Sequence, residues 1–203
     1  MSSLDTLIAF LSAHRAVLIS FHLLGVVLGL GGATFADLFF FRFLRDFKIS
    51  KHEAETLSHL SFLILIALLI LYVTGVGIFL TDVSRYSHSP AFLMKAIVVG
   101  VLSINGFVMH RHISPKLIHL SFTNHQLQHE KKMTFRRLAF AMGAISFTSW
   151  YSAFFIATLK SYLTPAVTLS HLLFAYLLIL AIAIPVSQYV QEHYFAQFAS
   201  QKT

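Results

Sequence analysis

Residues 57–81 read LSHLSFLILIALLILYVTGVGIFLT, an apolar run that contains no Asp, Glu, Lys or Arg. About 20 apolar residues are enough for a helix to cross the hydrocarbon core of a bilayer, so this run has the length of a membrane-spanning helix. The whole chain has the same character, since 57% of its 203 residues are hydrophobic and only 11% are charged. Its mean hydropathy is +0.74. These values are typical of an integral membrane protein rather than of a soluble domain.

Four more windows have this length and composition. The sequence therefore predicts a single domain, residues 1–203, that folds as an all-α, polytopic membrane bundle with five transmembrane helices. The predicted spans cover residues 16–41, 57–81, 91–109, 138–159 and 166–191.

Sequence signals mark where several of these helices begin. Ser50, with an acidic residue three positions later, predicts a capping box ahead of the second span. Ser89-Pro90 and Thr164-Pro165 each place an N-cap residue before a proline that suits the first helical position. Ahead of the first span, leucine and isoleucine recur at helical spacing, which predicts a short amphipathic helix in the membrane interface rather than a cleaved secretory signal.

The distribution of basic residues predicts the orientation. On one side of the membrane only Arg15, Arg85 and Lys160 flank the predicted spans. The loops on the other side carry most of the Lys and Arg: Arg42, Arg45, Lys48, Lys51, Arg111, Lys116, Lys131, Lys132, Arg136 and Arg137. Because cytoplasmic loops are enriched in Lys and Arg, we expect the N-terminus outside and the C-terminus in the cytoplasm, in a cell inner membrane. The same asymmetry accounts for the net charge of +7 without a nucleic-acid partner.

Three ionisable residues lie inside predicted spans at a similar depth below the predicted outer surface. His22 is about 10 Å along its helix from Arg15, and His171 is about two turns into the fifth span. Lys95 follows the start of the third span by a few residues. An ionisable residue inside a membrane is by default a candidate for function. The simpler alternatives are a hydrogen bond from His22 to a neighbouring helix, a Lys95 that extends to the lipid phosphates, and a His171 at the headgroup level.

Small residues continue the face of the first span that His22 occupies. Gly25, Gly29 and Gly32 follow it at i+3, i+7 and i+10, and Ala36 follows at i+14, which places all four in one narrow stripe. Such a stripe lets a second backbone approach closely, either within the chain or in a second copy of it. It equally leaves room for a flat macrocycle, and the sequence leaves both alternatives open.

A b-type haem would account for the histidine and the stripe together. Its iron takes imidazole as an axial ligand, and the chain has no Cys to offer a thiolate instead. His22 is the predicted ligand, and His171 is the predicted second ligand from a facing helix. If His22 binds alone, Lys95 faces the open side of the site as a candidate catalytic residue. Cations for the haem propionates are available on the predicted outer side: Arg15, Arg85 and Lys160.

A second, weaker group lies towards the predicted cytoplasmic side. His59 and His110 would form a second haem-ligating pair, but solvated histidines are common at such boundaries. Asp37 is the one carboxylate inside a predicted span. An ion pair with Arg42 is the simplest prediction for it, ahead of a role as a proton relay.

Residues 22–44, HLLGVVLGLGGATFADLFFFRFL, resemble the first helix of the HemJ-type protoporphyrinogen oxidases and of the wider CopD-like membrane proteins. Residues 89–110, SPAFLMKAIVVGVLSINGFVMH, resemble a later helix of these proteins, and VTGVGIFL at residues 73–80 is similar in general character. The resemblance covers roughly the first three spans. It implies that the chain binds b-type haem, with His22 as the haem-associated histidine and Lys95 as the functionally important lysine. The best-known branch of this group oxidises protoporphyrinogen.

These observations lead to one principal hypothesis and two alternatives. The first is a haem protein that transfers electrons or oxidises a membrane-soluble substrate such as a porphyrinogen, with a membrane redox partner or a quinone. The second is a small ion- or proton-coupled transporter or channel, whose path would be lined by polar residues of the spans: Asp37, Asn105, Ser146 and Ser149. The third is a structural membrane subunit without a cofactor.

Overall fold

The computed structural model describes residues 3–44, 51–113, 129–159 and 166–200. Within these ranges the chain is helical apart from short turns and contains no strand, which confirms the all-α class. The helices are α1 (Ser3–Ala13), α2 (Arg15–Leu44), α3 (Lys51–Thr81), α4 (Val83–Ser87), α5 (Pro90–Val108), α6 (His129–Thr158) and α7 (Leu169–Ser200), with a π-helical turn, Met109–Ile113, directly after α5.

Five of these helices are long and apolar enough to cross a membrane, which confirms the predicted number of spans. The segments that qualify are Arg15–Phe40, His52–Thr81, Pro90–Arg111, Arg137–Thr158 and Leu169–His193. The second span is longer than the predicted 57–81, because α3 begins at Lys51, ahead of the apolar run, as the predicted capping box at Ser50 implies. The protein is therefore a multi-pass membrane protein, and its orientation in the membrane stays a prediction.

The outer faces of the spans carry large apolar side chains that only lipid can cover favourably. Val27 is 67% exposed, Leu69 64%, Ile104 69% and Phe174 70%, and these residues belong to four different spans. Exposing so much apolar surface to water is unfavourable, so the surrounding medium must itself be apolar. These exposed apolar faces are suited to contact with a lipid bilayer.

One predicted helix start falls within the described residues. Ser89 caps α5, because its Oγ accepts a hydrogen bond from the Phe92 backbone N–H at 3.4 Å and Pro90 is the first helical residue. The predicted caps at Ser50 and Thr164-Pro165 lie outside the described residues. Residues 166–168 are described and are not helical, so the predicted start of the fifth helix at Pro165 is wrong, and α7 begins at Leu169. The N-terminal segment is helical as predicted, and its position in the membrane interface stays a prediction.

Consecutive spans are antiparallel, and α2 and α3 form the most extensive pair. Gly25 lies against Ile70 and Leu71 of α3, and Gly32 lies against Ile64, so the contact runs down the length of both helices. Helix α6 is the central helix of the remaining contacts and packs on α2, α5 and α7. Helices α2 and α5 begin, and helix α3 ends, at the same end of the bundle. Because α4 also lies there, we call it the α4 end. The core between the helices consists of buried apolar residues that include Leu68, Leu71, Met94, Val98, Trp150 and Tyr176.

Candidate functional site

The side chain of His22 is held on α3 by a hydrogen bond that fixes its tautomer. Its Nδ1 lies 2.9 Å from Oγ1 of Thr74. That hydroxyl has one hydrogen, which it donates to the Ile70 carbonyl at 2.6 Å. Thr74 therefore accepts from His22, and the proton of the neutral imidazole is on Nδ1. Nε2 is left with a free lone pair, as in a histidine that binds a metal.

The backbone of α3 next to Thr74 makes room for this ring. A Cβ built on Gly75 would lie 3.7 Å from Cε1 of His22, and no other heavy atom would be within 4 Å of it. On the helix that carries the histidine, Gly25 lets the two helices approach closely one turn further on. The glycines on both helices thus bring a ring nitrogen of α2 within hydrogen-bonding distance of a hydroxyl on α3.

Two cationic side chains lie near the imidazole at the α4 end. Lys95 of α5 is close enough for its charge to act on His22. Arg15 precedes His22 by seven residues on α2, so both occupy one face of the helix. Its Nη2 donates to the hydroxyl of Tyr86 at 2.8 Å, while its Nε–H is buried and has no partner within the described ranges. We call His22, Thr74, Lys95, Arg15 and Tyr86 the His22 site.

Tyr86 reaches this site because α4 folds back over the end of the bundle. Asp82 caps that short helix by accepting from the Arg85 backbone N–H at 3.1 Å. The ring of Tyr86 is buried against Phe92 of α5, with the ring centroids 5.2 Å apart. The phenol is therefore fixed by packing, and its hydroxyl holds one end of the Arg15 guanidinium.

His171 occupies a different position from the one predicted for a second ligand. Its side chain is exposed, and its Nδ1 accepts from the backbone N–H and the hydroxyl of Thr168, at 3.2 and 2.9 Å. This is the reciprocal half of a capping box at the start of α7. Because α7 packs mainly on α5 and α6, the structure does not bring His171 to His22. The predicted propionate partner Arg85 is exposed on α4, and Lys160 lies outside the described residues.

The glycine stripe of α2 is filled by side chains of the same chain. A Cβ on Gly29 would overlap the indole ring of Trp150 from α6. Cβ atoms on Gly25 and Gly32 would each lie 3.1 Å from side-chain atoms of α3. The stripe therefore packs α2 against α3 and α6. It leaves no open face there for a macrocycle or for a second copy of the chain, so the prediction of a homo-oligomer through the stripe lacks a free surface.

The residues predicted on the opposite half stay apart. His59 and His110 are both exposed, on α3 and on the π-helical turn. In the part of the chain that the structure describes, no three His, Asp or Glu side chains converge as a metal-ion site. The predicted ion pair between Asp37 and Arg42 is wrong. Asp37 faces α6 near Gly143, whereas Arg42, five residues on, points to a different side of α2 and is exposed.

Two members of the site were not identified from the sequence. Thr74 is a hydroxyl within the most apolar run of the chain, directly before a glycine, and that isolated polarity was the available signal. Tyr86 gave no such signal, because its position depends on how α4 folds over the end of the bundle.

No protein-family model matches the chain, and no curated protein or solved structure is significantly similar to it. The function is therefore argued from the site itself.

Proposed function

We propose that this multi-pass membrane protein binds an anionic, membrane-soluble ligand at the His22 site, and that b-type haem ligated by His22 is that ligand. Electron transfer, or oxidation of a membrane-soluble substrate such as a porphyrinogen, is the function that follows from it. The observation that supports this most is the hydrogen bond from His22 to Thr74, which leaves Nε2 as a lone-pair donor.

The hydrogen bond suits iron ligation for a specific reason. Histidines that bind metals generally donate their other ring N–H to an acceptor, which orients the ring and raises the basicity of the ligating nitrogen. A neutral imidazole has one N–H and one nitrogen with a lone pair, so donation from one nitrogen leaves the other as the ligand atom. Here the hydroxyl hydrogen of Thr74 is donated to the Ile70 carbonyl, so Nδ1 of His22 must be the donor to Thr74. Nε2 of His22 then keeps a lone pair that can bind iron.

The charges at the site suit an anionic ligand. Arg15 has a buried Nε–H with no partner among the described residues, and an unpaired buried donor costs free energy until an acceptor reaches it. Lys95 of α5 adds a second positive charge close to His22. A carboxylate, such as a haem propionate, would satisfy the guanidinium and be attracted by both cations.

The residues fit one axial ligand from the protein rather than two. Haem, when bound, supplies a one-electron redox centre. Its holding residues would be His22 for the iron and Arg15 for a propionate, while Lys95 would position an anionic group of a substrate. A haem at this site would not lie against the stripe of Gly25, Gly29 and Gly32, because side chains of α3 and α6 already occupy that groove.

The transporter alternative finds less support in the polar residues of α6. Ser149 is fully buried, donates to the Ile145 carbonyl at 2.6 Å and accepts from the hydroxyl of Tyr176 at 2.8 Å. A serine that joins two helices in this way has no hydrogen-bonding capacity directed at a path. The residue acts as a helix–helix contact between α6 and α7.

An absorbance spectrum tests the proposal. The full chain is expressed with ample haem, purified in detergent and scanned for a Soret band, in the wild type and in His22→Ala and His171→Ala. We expect a band in the wild type and in His171→Ala and its loss in His22→Ala, since only His22 has a buried partner. A wild type without a Soret band, or a band of equal intensity in His22→Ala, would contradict haem binding at this site.

A further inference from the structure

The half of the bundle away from α4 contains a polar layer where α2 and α5 meet the same turn of α6. Oδ1 of Asp37 lies 3.6 Å from the position of a Cβ on Gly143. Asn105 of α5 donates its Nδ2–H to the carbonyl of Met142 at 3.1 Å. Because Met142 and Gly143 are consecutive, the two polar side chains lie at one level of the bundle. We call Asp37, Asn105, Met142 and Gly143 the Asp37 layer.

Both polar side chains of this layer have an oxygen without a donor. Oδ2 of Asp37 and Oδ1 of Asn105 are buried and have no hydrogen-bond partner within the described ranges. An ionised carboxylate and an amide oxygen are both acceptors only. The layer therefore has an excess of acceptors, and each unpaired one is unfavourable in an apolar interior.

No described cation faces the carboxyl of Asp37. On its own helix, Arg42 is exposed, and on α3 the nearest titratable residue in register, His59, is exposed as well. On α6 the guanidinium of Arg137 is 2.8 Å from Glu192 and is thus already paired. The third neighbouring helix, α5, has no Asp, Glu, Lys or Arg at this level. Among the side chains that the structure describes, a charged Asp37 would therefore have its buried Oδ2 without a counter-charge.

We propose that Asp37 is a proton-binding site: its carboxyl is held as the neutral acid and exchanges its proton at the end of the bundle opposite α4. Holding a proton removes the large cost of an unpaired charge inside the membrane. It also converts one of the acceptors into an O–H donor, which is the group that the layer lacks. This site is separate from the His22 site and does not depend on the ligand proposed there.

The backbone next to the layer is irregular at the end where we place the exchange. The π-helical turn Met109–Ile113 begins one turn after Asn105, and the Met109 N–H is shared between the carbonyls of Asn105 and Gly106. Met109 packs against the small apolar cluster that Ala139 and Met142 form on α6. Single π-helical turns occur frequently at functional sites, because they loosen the regular hydrogen bonding of a helix. The layer thus borders the one part of α5 whose backbone bonding changes.

Infrared spectroscopy of the full-length protein in liposomes tests whether the acid is neutral. We expect the carbonyl stretch of a protonated carboxylic acid at neutral pH, shifted in D₂O and absent in Asp37→Asn. The matched control is Asp82→Asn, because Asp82 is an exposed carboxylate and Asn is an equally good N-cap. The control should keep the band. Absence of the band in the wild type, or its persistence in Asp37→Asn, would overturn the proposal.

Labelling with dicyclohexylcarbodiimide distinguishes a proton from a metal cation. The O–H of a protonated carboxyl adds across one C=N bond of this apolar reagent, so the adduct carries the whole reagent and nothing leaves. We expect the adduct at Asp37 by mass spectrometry, to the same extent in sodium chloride and in choline chloride. Protection by sodium would mean that the ionised carboxylate holds a cation, and the proton proposal would then be rejected.

Discussion

Each half of α2 places an ionisable side chain among apolar helices, and the two side chains have different neighbours. His22 has a hydroxyl acceptor on α3, a nearby lysine on α5 and an arginine on its own helix face. Asp37 lies near the backbone of Gly143, and its buried Oδ2 has no hydrogen-bond partner among the described residues. An oriented imidazole beside cations is suited to hold an anionic ligand, whereas an isolated carboxyl is suited to hold a proton. The comparison teaches that burial alone does not identify a site's chemistry, because the neighbouring donors and charges decide it.

The largest effect is expected from Gly29→Ala, which disturbs the scaffold that both ends share. The new methyl group would overlap the ring of Trp150, and overpacking of this kind costs about 1–3 kcal/mol. We expect a lower melting temperature in detergent, together with loss of any ligand binding. Gly31→Ala is the matched control, since no heavy atom lies within 4 Å of its Cβ position. Equal melting temperatures for both variants would show that Trp150 does not pack in this groove.

A smaller and more local effect is expected from Thr74→Val, which removes the acceptor of His22 and keeps the size of the side chain. Loss of such an outer hydrogen bond lowers metal affinity about 10–100-fold. Haem titration followed by absorbance would measure it. Thr81→Val provides the control, because Thr81 also donates to a carbonyl of α3 but lies about 10 Å further along the helix than Thr74. Unchanged haem affinity in Thr74→Val would contradict the role of the hydrogen bond.

Tyr86→Phe tests the outermost part of the His22 site. The variant keeps the ring that packs on Phe92 and removes the hydroxyl that accepts from Arg15. A single hydrogen bond to a charged group is worth about 1.5–3 kcal/mol, less when water replaces the lost partner. We expect a several-fold weaker affinity for an anionic ligand. Tyr72→Phe, which removes an exposed hydroxyl 3.0 Å from Ser103, should leave that affinity unchanged.

The smallest effect is expected from Asp37→Asn on stability. If the carboxyl is already neutral, the amide replaces it at nearly equal size and polarity, and the free energy of unfolding changes by about 0.5 kcal/mol or less. A carboxylate paired with a cation would behave differently, since breaking a buried pair costs about 3–5 kcal/mol. Chemical unfolding in detergent separates these two results, and a loss of the larger size would contradict the neutral acid.

The sequence predicts the architecture well because each span carries its own signal. Length and apolar composition identify a membrane helix without knowledge of its neighbours, and the Ser89 cap depends only on the next three residues. Depth along each helix also allowed the prediction that His22 and Lys95 lie near each other, since antiparallel spans share one reference plane. These are local or one-dimensional properties.

The sequence did not predict the properties that depend on how the helices face one another. The stripe of small residues predicted close packing or a cofactor equally well, and only the placement of Trp150 on Gly29 assigns it to packing. His171 lies in the first turn of α7 rather than two turns into the span, and its Nδ1 is used at the start of its own helix. Asp37 and Arg42 are near each other in sequence but lie on different sides of α2. The rotation of each helix about its axis is set by tertiary contacts. In a span where nearly every residue is apolar, the sequence has little periodicity from which that rotation can be predicted.

The division of the α2 glycines between two partners has a consequence for assembly in the membrane. Gly25 and Gly32 meet α3, the next span to be synthesised, so this hairpin can associate as soon as residue 81 has entered the bilayer. Gly29 receives its partner only when Trp150 arrives, two spans later. The contact of α2 with α6 at Gly29 therefore forms later in synthesis than the contact of α2 with α3.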